Sequence, residues 1–159
     1  MFSDDVDGST IVHRYVGIGL FEKFHFSWNR ETGLLEYVYV TDKDDILPNR
    51  LIEYEYDGEN VMKMTVKQDD DQDGEFELNS TQEYEYDTGE NPDRGNPELY
   101  TNPYGGSGWS KNNVNEAHYT DSRGNMSSSE RTFEYNEYGY PISETVNGKT
   151  SVYEYNCKE

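Results

Sequence analysis

The chain has 159 residues, with 33 acidic side chains against 13 basic ones and a formal net charge of −20. That charge argues against nucleic acid as a partner, because binding it needs cationic contacts to phosphate, and against anionic membrane surfaces. Divalent cations, cationic peptides and neutral glycans remain compatible with it. Only 32% of residues are hydrophobic, and no run approaches the roughly 20 apolar residues of a spanning helix. Fifteen tyrosines make up the shortfall. Tyrosine brings apolar area with a polar tip, so the expected core is modest and aromatic.

In chain order, residues 1–9 are acidic and polar and read as a flexible tail, and 10–157 read as a single domain. The start, Met1-Phe2-Ser3-Asp4-Asp5, has neither a basic region nor an apolar stretch. It is not a signal peptide and fits a chain whose targeting segment has been removed. Alternating runs then predict strands at 10–16, 21–28, 34–41, 51–56, 61–67, 75–86, 114–120, 126–135, 140–146 and 151–155. Compact turn signals separate them, and Asn147-Gly148 is the strongest two-residue hairpin signal. Helical periodicity is absent and the chain has one alanine. The expected fold is all-β: an antiparallel meander of about eight to ten strands, curled into an incomplete barrel or a strongly bent sheet.

One motif recurs: two aromatics spaced by two, an acid between them, then Asp or Asn. It reads Tyr54-Glu55-Tyr56-Asp57, Tyr84-Glu85-Tyr86-Asp87, Phe133-Glu134-Tyr135-Asn136 and Tyr153-Glu154-Tyr155-Asn156. Residues two apart on a strand share a face, so each copy sets aromatics on one side and carboxylates on the other. The resulting ladder, Glu53, Glu55, Glu83, Glu85, Glu134 and Glu154, either lines a barrel interior or faces solvent. A catalytic carboxylate pair within it is a distant alternative, of the glycoside hydrolase type.

Three further features carry candidate chemistry. Residues 41–100 hold 19 acids against 5 bases, and within them Asp69, Asp71 and Asp73 occupy alternate positions ahead of Gly74. This is the spacing of a calcium loop. Position 12 is Ser80 rather than a bidentate acid and no helices flank the loop, so an EF-hand is rejected. A calcium site in a hairpin, drawing on Asp69, Asp71, Asp73, Glu75 and Glu77, survives alongside a solvated hairpin tip. Residues 88–113 are rich in Gly, Pro and Asn and form a long connection, of the kind that is often functional. In it Trp109, with Tyr104 and Tyr100, is the candidate ligand platform, or else a plug over one end of the sheet. Trp28 alternates with Phe24 and Phe26 and reads as core. His13, His25 and His118 lie on separate strands without metal-ligand spacing, and the lone Cys157 leaves the redox compartment open.

The turns at 56–61, 119–126 and 135–142 resemble the YD-type hairpin repeats of bacterial surface proteins. Asn102-Pro103-Tyr104, Ser110-Lys111-Asn112-Asn113, residues 134–141 and the terminal 153–157 are similar to segments of a Bacteroidetes exported lipoprotein family. That family is a domain of unknown function with a porin-like or open-barrel β-meander. The resemblance covers roughly residues 50–157 and implies export to the periplasm or outer-membrane surface, with a lipid anchor on an N-terminal cysteine. Cys157 is not at that position. The resemblance carries over no catalytic residues. The expected function is a non-enzymatic exported binding or adhesion module of the cell envelope, not membrane-spanning, whose partner is a glycan, a peptide or an envelope protein. The alternative is a calcium-stabilised structural module of an envelope assembly.

Overall fold

The structure, a computed structural model, describes residues 22–45, 47–96 and 102–155 in full, and the backbone of 2–4, 10–16 and 19–21. The strands are β1 (Phe2–Asp4), β2 (Thr10–Val16), β3 (Gly19–Trp28), β4 (Leu35–Asp42), β5 (Arg50–Asp57) and β6 (Asn60–Gln68). They continue with β7 (Glu77–Glu90), β8 (Asn112–Asp121), β9 (Met126–Tyr135), β10 (Pro141–Val146) and β11 (Lys149–Val152). All lie in one sheet in sequence order, with β1 and β11 as its two edges. Each pairs antiparallel with its neighbours. The fold is therefore an open all-β meander. Nine strands have six residues or more, and the two short ones are the edges. The expected loose tail is altered at Phe2–Asp4, which pair with Thr10–Val12. Among the described residues no helix is long and apolar enough to cross a membrane.

Turn chemistry explains the short connections. Asn147 and Gly148 both take positive φ, 51° and 75°, the geometry of the two-residue turn whose twist matches paired strands. Asp121 Oδ1 accepts the N–H groups of Arg123 and Asn125 at 2.9 and 2.8 Å. Asn136 Oδ1 repeats the device with Tyr138 and Tyr140 at 2.9 and 3.1 Å. An Asx side chain at the end of a strand thus fixes the reversal in both places.

The core lies on one face of β3–β8. Phe24, Phe26, Leu35, Val38, Val40, Ile52 and Val61 are buried there with Tyr54, Met64, Val66, Tyr84, Val114 and Trp109. The opposite face is open and charged, with Lys67 on Glu53 at 2.8 Å and Lys63 near Glu55 at 3.8 Å. Among the described residues no second sheet covers the core. The connection between β7 and β8 does so, folding back above β6 through the 3₁₀ turn Gly106–Trp109.

Hydrogen bonds close this segment onto the sheet. The buried Ser110 Oγ accepts the Val61 N–H at 3.0 Å, the Tyr86 hydroxyl donates to the Val61 carbonyl, and Ser110 Oγ lies 2.7 Å from the Tyr86 oxygen. The Tyr54 hydroxyl donates to the Pro103 carbonyl. At the other end, Lys111 N–H donates to the Glu59 carbonyl at 3.1 Å, and the Glu59 carboxylate takes Arg94 at 2.8 Å and Lys111 at 3.4 Å. The Asn112 backbone N–H donates to Asn60 Oδ1 at 2.9 Å, and Asn60 Nδ2 donates to Asn112 Oδ1 at 3.0 Å. Gly106 sits so close to the Tyr84 ring that a Cβ there would fall 2.9 Å from it, which is why the segment carries glycine where it crosses the strand.

Ser110→Ala orphans the Val61 N–H and removes one of the two partners of the Tyr86 hydroxyl. Removing one partner of a buried hydrogen bond costs about 1–3 kcal/mol, so thermal unfolding should show a Tm lower by several degrees. Burial also raises the phenols beneath the segment: Tyr86 is pushed up to about 12, and Tyr54, Tyr56 and Tyr84 move the same way. The folded state holds these protons more tightly than the unfolded chain, whose phenols titrate near 10. Their stabilisation is therefore complete below about pH 10 and is lost as pH rises through the folded values. Denaturant melts across that range should show a fall in stability that coincides with tyrosinate absorbance.

Candidate functional site

Trp109 belongs to the core. It is 7% exposed, its ring 6.1 Å from Phe26 and 5.7 Å from Trp28 in an edge-on contact, and it lies beside the Tyr54 phenol. The expected ligand-stacking role therefore gives way to the plug reading, because nearly all the indole surface is used against the sheet. Tyr104 is half-buried, and its hydroxyl accepts from Arg50, whose guanidinium also lies 5.7 Å from the ring centre. Arg50 pairs in addition with the buried Glu22 at 3.0 Å and with Asp42. Tyr104 is thus a strut between the covering segment and β3–β5. Tyr100 and Cys157 lie outside the described residues, and of His13 only the backbone, on β2, is described.

A cleft of about 570 Å³ opens where the covering segment ends and the sheet continues. Its volume is in the range of small-molecule sites. One wall is the segment itself, through Asn91, Asp93, Asn96, Asn102, Gly105, Ser107 and Gly108. The other comes from Asn113 and Val114 on β8, Arg131 and Phe133 on β9, Glu144 on β10, and Tyr153. Arg131 donates to Glu144 Oε1 at 3.1 Å and the Tyr153 hydroxyl to Oε2 at 3.2 Å. Both oxygens of Glu144 are thereby engaged, which makes it an acceptor in a fixed network. Burial, then the negative Glu144 beside it, pushes the Tyr153 phenol up to about 12. Arg131 Nε is buried and has no hydrogen-bond partner among the described residues. Asn113 donates to the Tyr135 hydroxyl at 3.1 Å, and that hydroxyl donates to Asp87. The lining thus combines amides that donate and accept, two partly exposed aromatic rings, one acid–base pair and the Asp93 carboxylate.

Two other clusters gather metal-type ligands. Carboxylate oxygens of Asp69, Asp71 and Asp73, in the β6–β7 connection, lie within 4.8 Å of one another. The carboxylates of Glu75 and Glu77 do not join that group; both side chains are exposed, and the Glu75 N–H donates to Asp73 at 2.8 Å. On the open face Glu85, Glu116 and His118 come together, His118 Nε2 being 3.3 Å from Glu116. The histidine spacing in sequence concealed this cluster, which the β7–β8 register creates by setting Glu85 opposite Glu116. The rest of the glutamate ladder stands toward solvent, with Glu53 half-buried and Glu55, Glu83, Glu134 and Glu154 exposed.

Searches against protein-family models and against curated proteins find no match for the chain. Truncating a buried tryptophan costs about 3–5 kcal/mol. Trp109→Ala should accordingly lower Tm by roughly ten degrees in a chain of this size, whereas an unchanged Tm in calorimetry would return the indole to the surface.

Proposed function

We propose that this chain is a non-enzymatic, exported binding module of the bacterial cell envelope, and that its cleft takes a neutral glycan. The observation that carries this reading is the cleft lining. Asn96, Asn102 and Ser107 face Phe133 and Tyr153 across about 570 Å³. Side-chain amides match pairs of adjacent hydroxyls, and an aromatic ring offers apolar area to the C–H face of a sugar. The net charge of −20 favours an uncharged ligand over an acidic one. Neither oxygen of Glu144 stands free to donate a proton, which supports binding over hydrolysis. Export, and attachment to the outer-membrane surface or residence in the periplasm, rest on the resemblance of residues 50–157 to the Bacteroidetes exported lipoprotein family.

The test is a screen of the purified chain against immobilised neutral oligosaccharides, followed by titration of any ligand found. Phe133→Ala and Asn102→Ala should each weaken binding by about tenfold, equivalent to about 1.4 kcal/mol, with Tm changing little for the exposed Asn102. Binding that both substitutions leave intact, or an empty screen, would contradict the assignment of the cleft.

A further inference from the structure

We propose that the β6–β7 connection is a calcium site built on Asp69, Asp71 and Asp73. The proposal is independent of the cleft. Asp69 is only 5% exposed, and its Oδ2 accepts the Gly74 N–H at 3.0 Å. Its Oδ1 is buried and receives no hydrogen bond among the described residues. An ionised oxygen removed from water without a donor is costly unless a cation or proton compensates it. No cationic side chain does so: among the described residues the ion pairs of this chain involve none of Asp69, Asp71 and Asp73. The side-chain donors nearest in sequence are directed elsewhere, Gln68 to Asp70 at 2.6 Å and Gln72 to Asp45 at 2.9 Å.

The two exposed members of the cluster, Asp71 and Asp73, each bring a carboxylate oxygen within 4.8 Å of a carboxylate oxygen of Asp69. Three like charges at that spacing repel, and one divalent cation turns the repulsion into coordination. The donors are hard oxygens only, which selects calcium rather than zinc. Calcium takes six to eight oxygens, so three carboxylates leave positions for backbone carbonyls and water. Asp69 N–H also donates to the Asn49 carbonyl at 2.9 Å, and Gln72 reaches Asp45. An ion here would therefore brace the hairpin against the β4–β5 connection.

The experiment uses the whole chain, freed of metal with a chelator, titrated with calcium chloride alone by calorimetry and then melted with and without calcium. Asp71→Asn and Asp73→Asn alter exposed positions and leave the fold intact. Asp70→Asn removes an acid that lies outside the cluster. A site of millimolar or tighter affinity should give a saturable heat and, at saturation, a Tm higher by about 4 °C. The rise should vanish in Asp71→Asn and Asp73→Asn and persist in Asp70→Asn. Absence of heat and of any shift would overturn the proposal, as would a shift that survives both cluster substitutions, since that would be diffuse screening of an acidic surface.

Discussion

A single sheet has two faces, and burying one requires something to lie against it. Here eleven strands run as a meander and no second sheet or long helix is available among the described residues. The covering layer is the β7–β8 connection, a stretch of irregular backbone. Irregular backbone makes a poor lid because its polar groups need partners. This one finds them. Ser110 serves Val61 and Tyr86, Pro103 takes the Tyr54 hydroxyl, and Asn91 holds the Ser107 and Ser110 carbonyls. Trp109 then fills the space between lid and sheet against Phe26 and Trp28.

The extent of the lid decides what each copy of the aromatic motif becomes. Tyr54 and Tyr84 lie beneath it and are buried, with Tyr56 and Tyr86 packed beside them. Phe133 and Tyr153 lie past its margin and form the wall of the cleft instead. The same local motif therefore yields core in one half of the sheet and cleft surface in the other. Tyrosine suits this division, since the same side chain packs on its ring and bonds through its hydroxyl. The cleft is a consequence of a cover shorter than the sheet it covers.

The strands, their antiparallel order and the one-sided aromatic face were legible because each rests on local rules. Period-two alternation marked the ten strands β2–β11 to within a few residues, and Asn147-Gly148, Asp121 and Asn136 marked reversals with a defined geometry. The lid was legible only as a long connection. Its glycines and amides signal loop, while the partners that anchor it, Val61, Tyr86 and Tyr54, are about 25 to 50 residues away in sequence. Trp109 in a glycine-rich stretch offers no periodicity from which burial could be read. Arg131 and Glu144 were missed for a related reason. Their meeting depends on the β9–β10 register, which includes an irregularity between Pro141 and Ser143. In the acidic hairpin the spacing of Asp69, Asp71 and Asp73 was plain, but the burial of Asp69 alone among them was not.

The central claim is that the β7–β8 connection is structurally part of the core rather than a loop resting on it. Native-state hydrogen exchange tests it directly, because it reads the opening free energy of individual amides. The N–H groups of Ser110 and Lys111, which donate to Ser107 and Glu59, should exchange with the same free energy as those of Val61 and Met64 in β6. The two sets should also respond together to denaturant. Fast, denaturant-independent exchange at Ser110 and Lys111 beneath full protection of β6 would contradict the account, since the sheet would then be stable without its cover.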